Sequence, residues 1–207
     1  MPMKQGQHIA IIGQTGSGKS TLARELLRRR GYCIICVTKP DPLLWPATWK
    51  RVTTVKKIDL AEATHFILRP SYYQQRVEIW NALDTAWKQG GWTIYLDEEY
   101  YIEQQLGLDE KVIQLLTQGR SNNITMIVGM QRPAWVSRFN LSEPTHIICG
   151  RLGDERDMSI VKSVIGSQYL EAIKELPRYK FVWLNKNDGT MKQVDKYSIE
   201  KAVAGAE

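Results

Sequence analysis

Five short apolar runs punctuate the chain: His8–Ile12 (HIAII), Tyr32–Val37 (YCIICV), Trp92–Leu96 (WTIYL), Ile124–Met130 (ITMIVGM) and His146–Cys149 (HIIC). Each is too short for a helix and is bounded by polar or turn-forming residues, the pattern of strands buried on both faces. The segments between them carry helical signals. Lys19–Arg30 predicts a helix stopped by Gly31, and Ser71–Gln89 predicts one with Ser71 as N-cap and Val77, Trp80, Leu83 and Trp87 along its apolar face. Asp109–Gln118, Asp154–Ile165 and Ser167–Leu176 also read as helices. Val52–Ile58 and Phe66–Leu68 are weaker strand signals. Tyr179–Leu184 and Met191–Asp195, around Asp188-Gly189, predict a closing hairpin. Strands alternating with helices predict an α/β fold, with a mostly parallel central sheet, helices on both faces and a C-terminal β-hairpin. No linker or repeat divides residues 1–207, so a single domain is expected.

Composition narrows this only slightly. Hydrophobic residues make up 43% of the 207, which suits an ordinary core. The formal net charge of +6 permits an anionic partner without requiring one. No apolar run reaches membrane-spanning length, and the N-terminal residues lack a signal-peptide layout, so a soluble intracellular protein is expected. Cys33, Cys36 and Cys149 are a sparse, odd set. The Cys33-x-x-Cys36 spacing within a strand puts the two thiols on opposite faces, which disfavours zinc or redox use. His8, His65 and His146 each flank a strand, share no ligand spacing and read as structural.

The chemistry enters at Gly13-Gln14-Thr15-Gly16-Ser17-Gly18-Lys19-Ser20-Thr21. This fits G-x-x-x-x-G-K-[ST] and lies between a predicted strand and a predicted helix, the context the motif needs. Glycines let the loop wrap so that backbone N–H groups point at phosphate, and the following helix adds the positive end of its dipole. Lys19 suits the β- and γ-phosphates, and the Ser20 hydroxyl suits Mg²⁺. A second signal is the strand Trp92–Leu96 running into Asp97-Glu98-Glu99. An apolar strand ending in an acid is the Walker B pattern, with Asp97 as the metal-side carboxylate and Glu98 as general base for a water. Glu99 is expected to point the other way, by strand alternation.

The run Ile124–Met130 has Arg120 before it and Gln131 at its C-terminal tip. Ligands of open α/β sheets bind at such tips, and an amide there can bond both a phosphate oxygen and an attacking water. Arg120 lies at the opposite end of the strand, out of reach of its own subunit's phosphate. In a ring it could reach a neighbour's nucleotide as an arginine finger.

Together the P-loop, LDEE, QGRSNNITMIVGMQRP and SEPTHIICGRLGDERD resemble the HerA/FtsK superfamily of P-loop motors, and within it the small genome-packaging ATPases of viruses and phages. The resemblance spans about residues 8–185 and is weakest over 40–90. It implies a RecA-like core with the Gln131 strand between the P-loop and Walker B strands. It also implies ATP and Mg²⁺ as cofactors, and a pentameric or hexameric ring that pumps double-stranded DNA, with a capsid or portal-vertex protein as a further partner. The implied location is the cytoplasm of the infected host cell, with virion association as a variant. By motif position Lys19, Ser20, Asp97, Glu98, Gln131 and Arg120 carry over as phosphate, Mg²⁺, metal, base, sensor and trans-finger residues, and Arg151 is a second arginine that could face nucleotide or neighbour. Unlike large terminases, the chain leaves no room for a nuclease domain.

Competing readings are a small-molecule P-loop kinase, which would need an arginine-rich lid, and a conjugation or phage-extrusion ATPase, which would share these motifs. A non-hydrolysing nucleotide switch is disfavoured by the intact Lys19, Asp97 and Glu98. Candidate DNA contacts are Trp45, Trp49, Lys50, Arg51, Lys56 and Lys57, then Arg132, Trp135 and Arg138; the tryptophans could instead pack beneath a loop. Asn185-Lys186-Asn187-Asp188 matches the N-K-x-D of guanine-reading sites, but Asp188-Gly189 reads better as a turn. The run Arg28–Arg30 suits a helix C-terminus.

Overall fold

A computed structural model describes residues 3–39 and 45–198. Nine strands form one sheet in the order β3-β4-β2-β5-β6-β1-β7-β8-β9. They are β1 (Ile9–Ile12), β2 (Tyr32–Cys36), β3 (Lys50–Val52), β4 (His65–Leu68), β5 (Trp92–Asp97), β6 (Thr125–Met130), β7 (His146–Gly150), β8 (Phe181–Asn185) and β9 (Met191–Val194). The run from β3 to β7 is parallel, and β8 and β9 add an antiparallel edge. The helices are α1 (Lys19–Leu27), α2 (Gln75–Gln89), α3 (Asp109–Gln118), α4 (Phe139–Ser142), α5 (Glu155–Ile165) and α6 (Ser167–Lys174). This is the expected α/β architecture, including the C-terminal hairpin.

Every residue of β1, β6 and β7 is buried, because both faces of the sheet are covered. Side chains alternate between two core layers. Ala10, Ile12, Ile34, Leu96 and Val128 pack with residues of α2, α3, α5 and α6. Ile9, Ile11, Ile35, Tyr95, Ile127 and Ile148 pack with Leu22, Leu26 and Leu27 of α1. Cys33 lies in the α1 layer and Cys36 in the other, as the spacing predicted.

Several local expectations shift. The first helix ends at Leu27, so Arg28–Arg30 follow it, and Gly31 is not in the left-handed conformation of a C′ stop. The apolar face of α2 is rotated: Ile79, Ala82, Leu83 and Ala86 are buried, while Val77 and Trp80 are 59% and 44% exposed. Large apolar side chains at helical spacing suggested one stripe, but the smaller alanines are what allow close approach to the sheet. Ser71 does not cap that helix. Its hydroxyl donates to Gln74 Oε1 (2.8 Å), and a 3₁₀ turn at Tyr72–Gln74 intervenes. Residues 52–58 form the end of β3 and a 3₁₀ turn at Val55–Lys57 rather than a strand. Trp45 and Trp49 are buried, stacked on each other with centroids 5.8 Å apart; Trp49 also stacks on His65, and Trp45 meets Tyr95 edge-to-face. They close the α1 layer rather than offering faces to a ligand. Asp188 accepts from Thr190 N–H and Asn185 Nδ2, and Gly189 has φ 71°, so N-K-x-D is a hairpin turn.

Candidate nucleotide site

In this sheet order β6 lies between β5 and β1. Parallel register brings the C-terminal tips of all three together: Ile12 pairs with Met130, and Asp97 with Gly129. The chain after β1 turns through Gly13–Gly18 into α1, with Gly16 and Gly18 at φ 71° and 95°. Gly18 is the residue before α1, and its left-handed geometry is one that side-chain-bearing residues adopt only at a cost.

Lys19 lies beneath this loop. Its ammonium donates to Gly13 O (2.8 Å) and Gln14 O (3.0 Å), the carbonyls that span the mouth of the loop. Burial pulls its pKa down to about 8; Glu98 and Asp97 oppose the shift and Lys39 adds to it. Ser20 Oγ donates to Asp97 Oδ1 (3.1 Å), so hydroxyl and carboxylate share one spot. Tyr95 Oη donates to the same oxygen at 2.7 Å and fixes the carboxylate from the α1 side. Gly129 makes room for that phenol: a Cβ there would lie 3.0 Å from Tyr95 Oη. The Ser20–Asp97 pair is a hard-oxygen donor set of the kind Mg²⁺ takes together with substrate phosphates. Among the described residues no group of three or more His, Cys, Asp or Glu forms a self-sufficient metal cage.

Strand β5 ends at Asp97, and Glu98 takes φ 77°, a left-handed conformation that is strained for glutamate. This turn, rather than continued alternation, separates the two glutamates. Glu98 Oε2 accepts from Lys39 Nζ (2.8 Å) and from Gln131 Nε2, while Gln131 Oε1 accepts from Thr15 Oγ1. P-loop, β5 tip and β6 tip are thus joined in one chain of hydrogen bonds. Glu99 points into the core, fully buried with both carboxylate oxygens unpartnered. Burial, reinforced by Glu103, drives its pKa well up, the direction that favours the neutral acid. Glu103, in a π-helical turn at Tyr101–Gln105, accepts from Ser137 N and Asn140 Nδ2, both at 2.7 Å. It ties the segment after Glu98 to the loop after β6.

Arg120 is exposed at the far end of β6, beside Gly6, away from the phosphate loop. Arg151 follows β7 on the loop's side of the sheet. There a Cβ on Gly153 would lie 2.6 Å from Gln14 Nε2. Of the candidate DNA contacts, Arg132 is committed to Asp154 and Asp157 at 2.8 and 2.9 Å and stacks on Trp135; Arg51 Nη1 and Nη2 donate to carbonyls of residues 45–49; and Lys50 pairs with Glu62. Lys56, Lys57, Trp135 and Arg138 are exposed. Sequence reasoning missed Tyr95, Lys39 and the turn Arg178-Tyr179, which lies against Gly16 and Gly18. None of these belongs to a contiguous motif, so no local signal marked them.

Fold and site together define the class, a P-loop ATPase with a RecA-like sheet. Residues 5–30 match the family model for the central domain of the HerA helicase. Over 180 residues the chain is 29% identical to the DNA packaging ATPase P9 of Enterobacteria phage PRD1, covering 83% of this chain and 75% of that one. Among solved structures, the genome packaging NTPase B204 of Sulfolobus turreted icosahedral virus 2 superposes with TM-score 0.73 at 18% identity, over 92% of this chain and 96% of that one. The pCW3 conjugation coupling protein TcpA gives TM-score 0.58 at 15% identity, over 96% of this chain and 65% of that one. The likeness to the HerA/FtsK ATPases expected from the motifs is borne out in sequence and in fold.

Proposed function

We propose that this protein is an ATP-driven translocase that packages double-stranded DNA of a virus or phage into a capsid. In this reading residues 1–207 act as one motor domain within a pentameric or hexameric ring. The observation that carries it is the hydrogen-bonded chain Thr15–Gln131–Glu98 beside the Ser20–Asp97 pair, on a chain whose sequence likeness to a phage packaging ATPase runs over 180 residues.

The residues divide the work as follows. Backbone N–H groups of Gly13–Ser20 cradle the phosphates, and Lys19 exchanges its two loop carbonyls for β- and γ-phosphate oxygens. Ser20 and Asp97 would hold Mg²⁺, which would supply positive charge against the phosphates. Glu98 accepts a proton from water as its oxygen attacks the γ-phosphorus; the bond to the β-phosphate oxygen breaks, leaving ADP and phosphate. Gln131 holds the water through its amide. Lys39 and Gln131 both hold Glu98 through Oε2, which leaves Oε1 as the oxygen to accept this proton. Arg120 of a neighbouring subunit stabilises the transferring phosphoryl group. The capsid or portal vertex anchors the ring in the cytoplasm of the infected cell. Among the described residues no helix is long and apolar enough to cross a membrane.

The test is steady-state ATP hydrolysis at low salt with and without long double-stranded DNA. Stimulation by DNA, abolished in Glu98→Gln, supports the motor; turnover that needs a nucleoside or metabolite acceptor instead makes it a kinase. Mixing Arg120→Ala or Arg151→Ala subunits with Glu98→Gln subunits identifies the trans finger, since only a residue acting across the interface is complemented in mixed rings. The fold likeness to TcpA favours a conjugation-type motor as the second reading. Packaging of DNA into purified empty capsids distinguishes the two.

A further inference from the structure

Beside the phosphate loop lies a cavity of about 440 Å³, lined by Ser17, Gly18, Thr21 and Leu22 on one side and by Tyr179, Lys180, Phe181, Asp195, Lys196 and Tyr197 on the other. Its first wall is the end of the P-loop and the first turn of α1, so it opens where the chain leaves the phosphates. Its volume falls in the range of sites for small organic ligands, about 300–1,000 Å³. The second wall is the segment entering β8 and the segment leaving β9, brought to α1 because the antiparallel hairpin closes that edge of the sheet.

Tyr179 is built for more than packing. It is 53% exposed, and its φ of 66° is an outlier for a bulky side chain. That conformation brings its ring over the P-loop: a Cβ on Gly18 would lie 3.3 Å from Tyr179 Cδ1. The Arg178 guanidinium stacks on the ring at 4.7 Å and reaches toward Gly16, 3.8 Å from the position a Cβ would take. Arg178 does not line the cavity and Tyr179 does. The ring thus carries a cation from a residue outside the cavity while itself lining the cavity, an arrangement suited to a planar partner. Polar groups of the second wall are already engaged: Lys180 Nζ with Asp195, Asp195 with Ser198, and Lys196 Nζ over the Tyr197 ring.

Resting on the reading of Gly13–Ser20 as the phosphate site, we infer that this cavity is the nucleoside subsite. Tyr179 stacks on the base of the bound nucleotide, and Arg178 holds the ring and adds positive charge beside the phosphate chain. The base is gripped by its face. The Arg178-Tyr179 turn is then the second wall of the ATP site, supplied by the C-terminal hairpin and not by any P-loop motif.

Two probes separate the subsites in calorimetric titrations, ATP and inorganic tripolyphosphate. Stacking on an aromatic ring is worth on the order of tenfold in affinity or more. Tyr179→Ala and Tyr179→Gly, the latter suited to the positive φ and so to folding, are expected to weaken ATP by about tenfold while leaving tripolyphosphate within about twofold. Tyr179→Phe is expected to keep wild-type affinity for both. Lys19→Ala should weaken both ligands; if it weakens neither, the phosphate reading itself fails. Wild-type ATP affinity in Tyr179→Gly, or equal loss of ATP and tripolyphosphate in both Tyr179→Ala and Tyr179→Gly, would overturn the nucleoside subsite.

Discussion

Two buried histidines make the fold sensitive to mild acid, and the size of the effect follows from their contacts. His8 Nδ1 accepts the backbone N–H of Met126 (3.0 Å), and His146 Nδ1 accepts the indole N–H of Trp183 (3.2 Å). Each ring must therefore be neutral with its proton on Nε2. Burial pulls both pKa values down from 6.5 to about 4, with Arg120 adding to the shift at His8 and Arg30 at His146. The folded state binds these protons more weakly than the unfolded chain, so stability is intact above pH 6.5 and is lost as pH falls toward 4. Between pH 7 and pH 5 each histidine withdraws about 2 kcal/mol, or about 4 kcal/mol for the pair. That is a large fraction of the stability of a typical domain. Buried carboxylic acids such as Glu99 titrate with the opposite sign, so the effect is best read as a difference between proteins. Urea unfolding of wild type and His146→Asn at both pH values supplies it, since asparagine offers Oδ1 as the acceptor without a titrating proton. The variant is expected to lose about 2 kcal/mol less than wild type over that interval. An unchanged difference, or an NMR titration of His146 near 6.5, would refute the reasoning.

Glu98→Gln should cut ATP turnover by about 10²–10⁴-fold, the range for loss of a general base, while ATP still binds; single-turnover kinetics with a nucleotide-binding control reads both. ATP affinity should fall about tenfold per pH unit above roughly 8, because the free protein's Lys19 loses its proton there, and calorimetry across pH 7–9.5 should show proton uptake on binding. Glu103→Ala removes the acceptor shared by Ser137 N–H and Asn140 Nδ2. It is expected to destabilise the protein by about 1–3 kcal/mol in urea melts, with Glu103→Gln milder.

The buried central strands, α3 and the phosphate loop were legible in the sequence because each is decided within a few residues, whereas the edge strand β3 was not. A buried strand needs only a continuous apolar run, and a P-loop needs only glycines and a lysine between a strand and a helix. The placement of the Gln131 strand came from family resemblance, and the sheet order agrees with it. The face of α2 could not be read this way. Val77 and Trp80 have the right spacing, yet the sheet accepts Ile79, Ala82 and Ala86, and only packing distance chooses between them. Nor could the tryptophans of the 45–49 segment be told from ligand-binding rings until Tyr95 and His65 were seen beneath them.

What the sequence determined by itself, then, is the chemistry that lies on one stretch of chain: Lys19 and Ser20 on the loop, Asp97 and Glu98 at a strand tip, Gln131 at another. What only the tertiary structure decided is which of these groups meet. Thr15 joins Gln131 across 116 residues and Lys39 joins Glu98 across 59, while Tyr179 reaches Gly18 from the last hairpin. A residue type constrains its near neighbours through backbone geometry, but contacts at such separations exist only once strand pairing, parallel from β3 to β7 and antiparallel at the β8–β9 edge, has fixed where each segment ends.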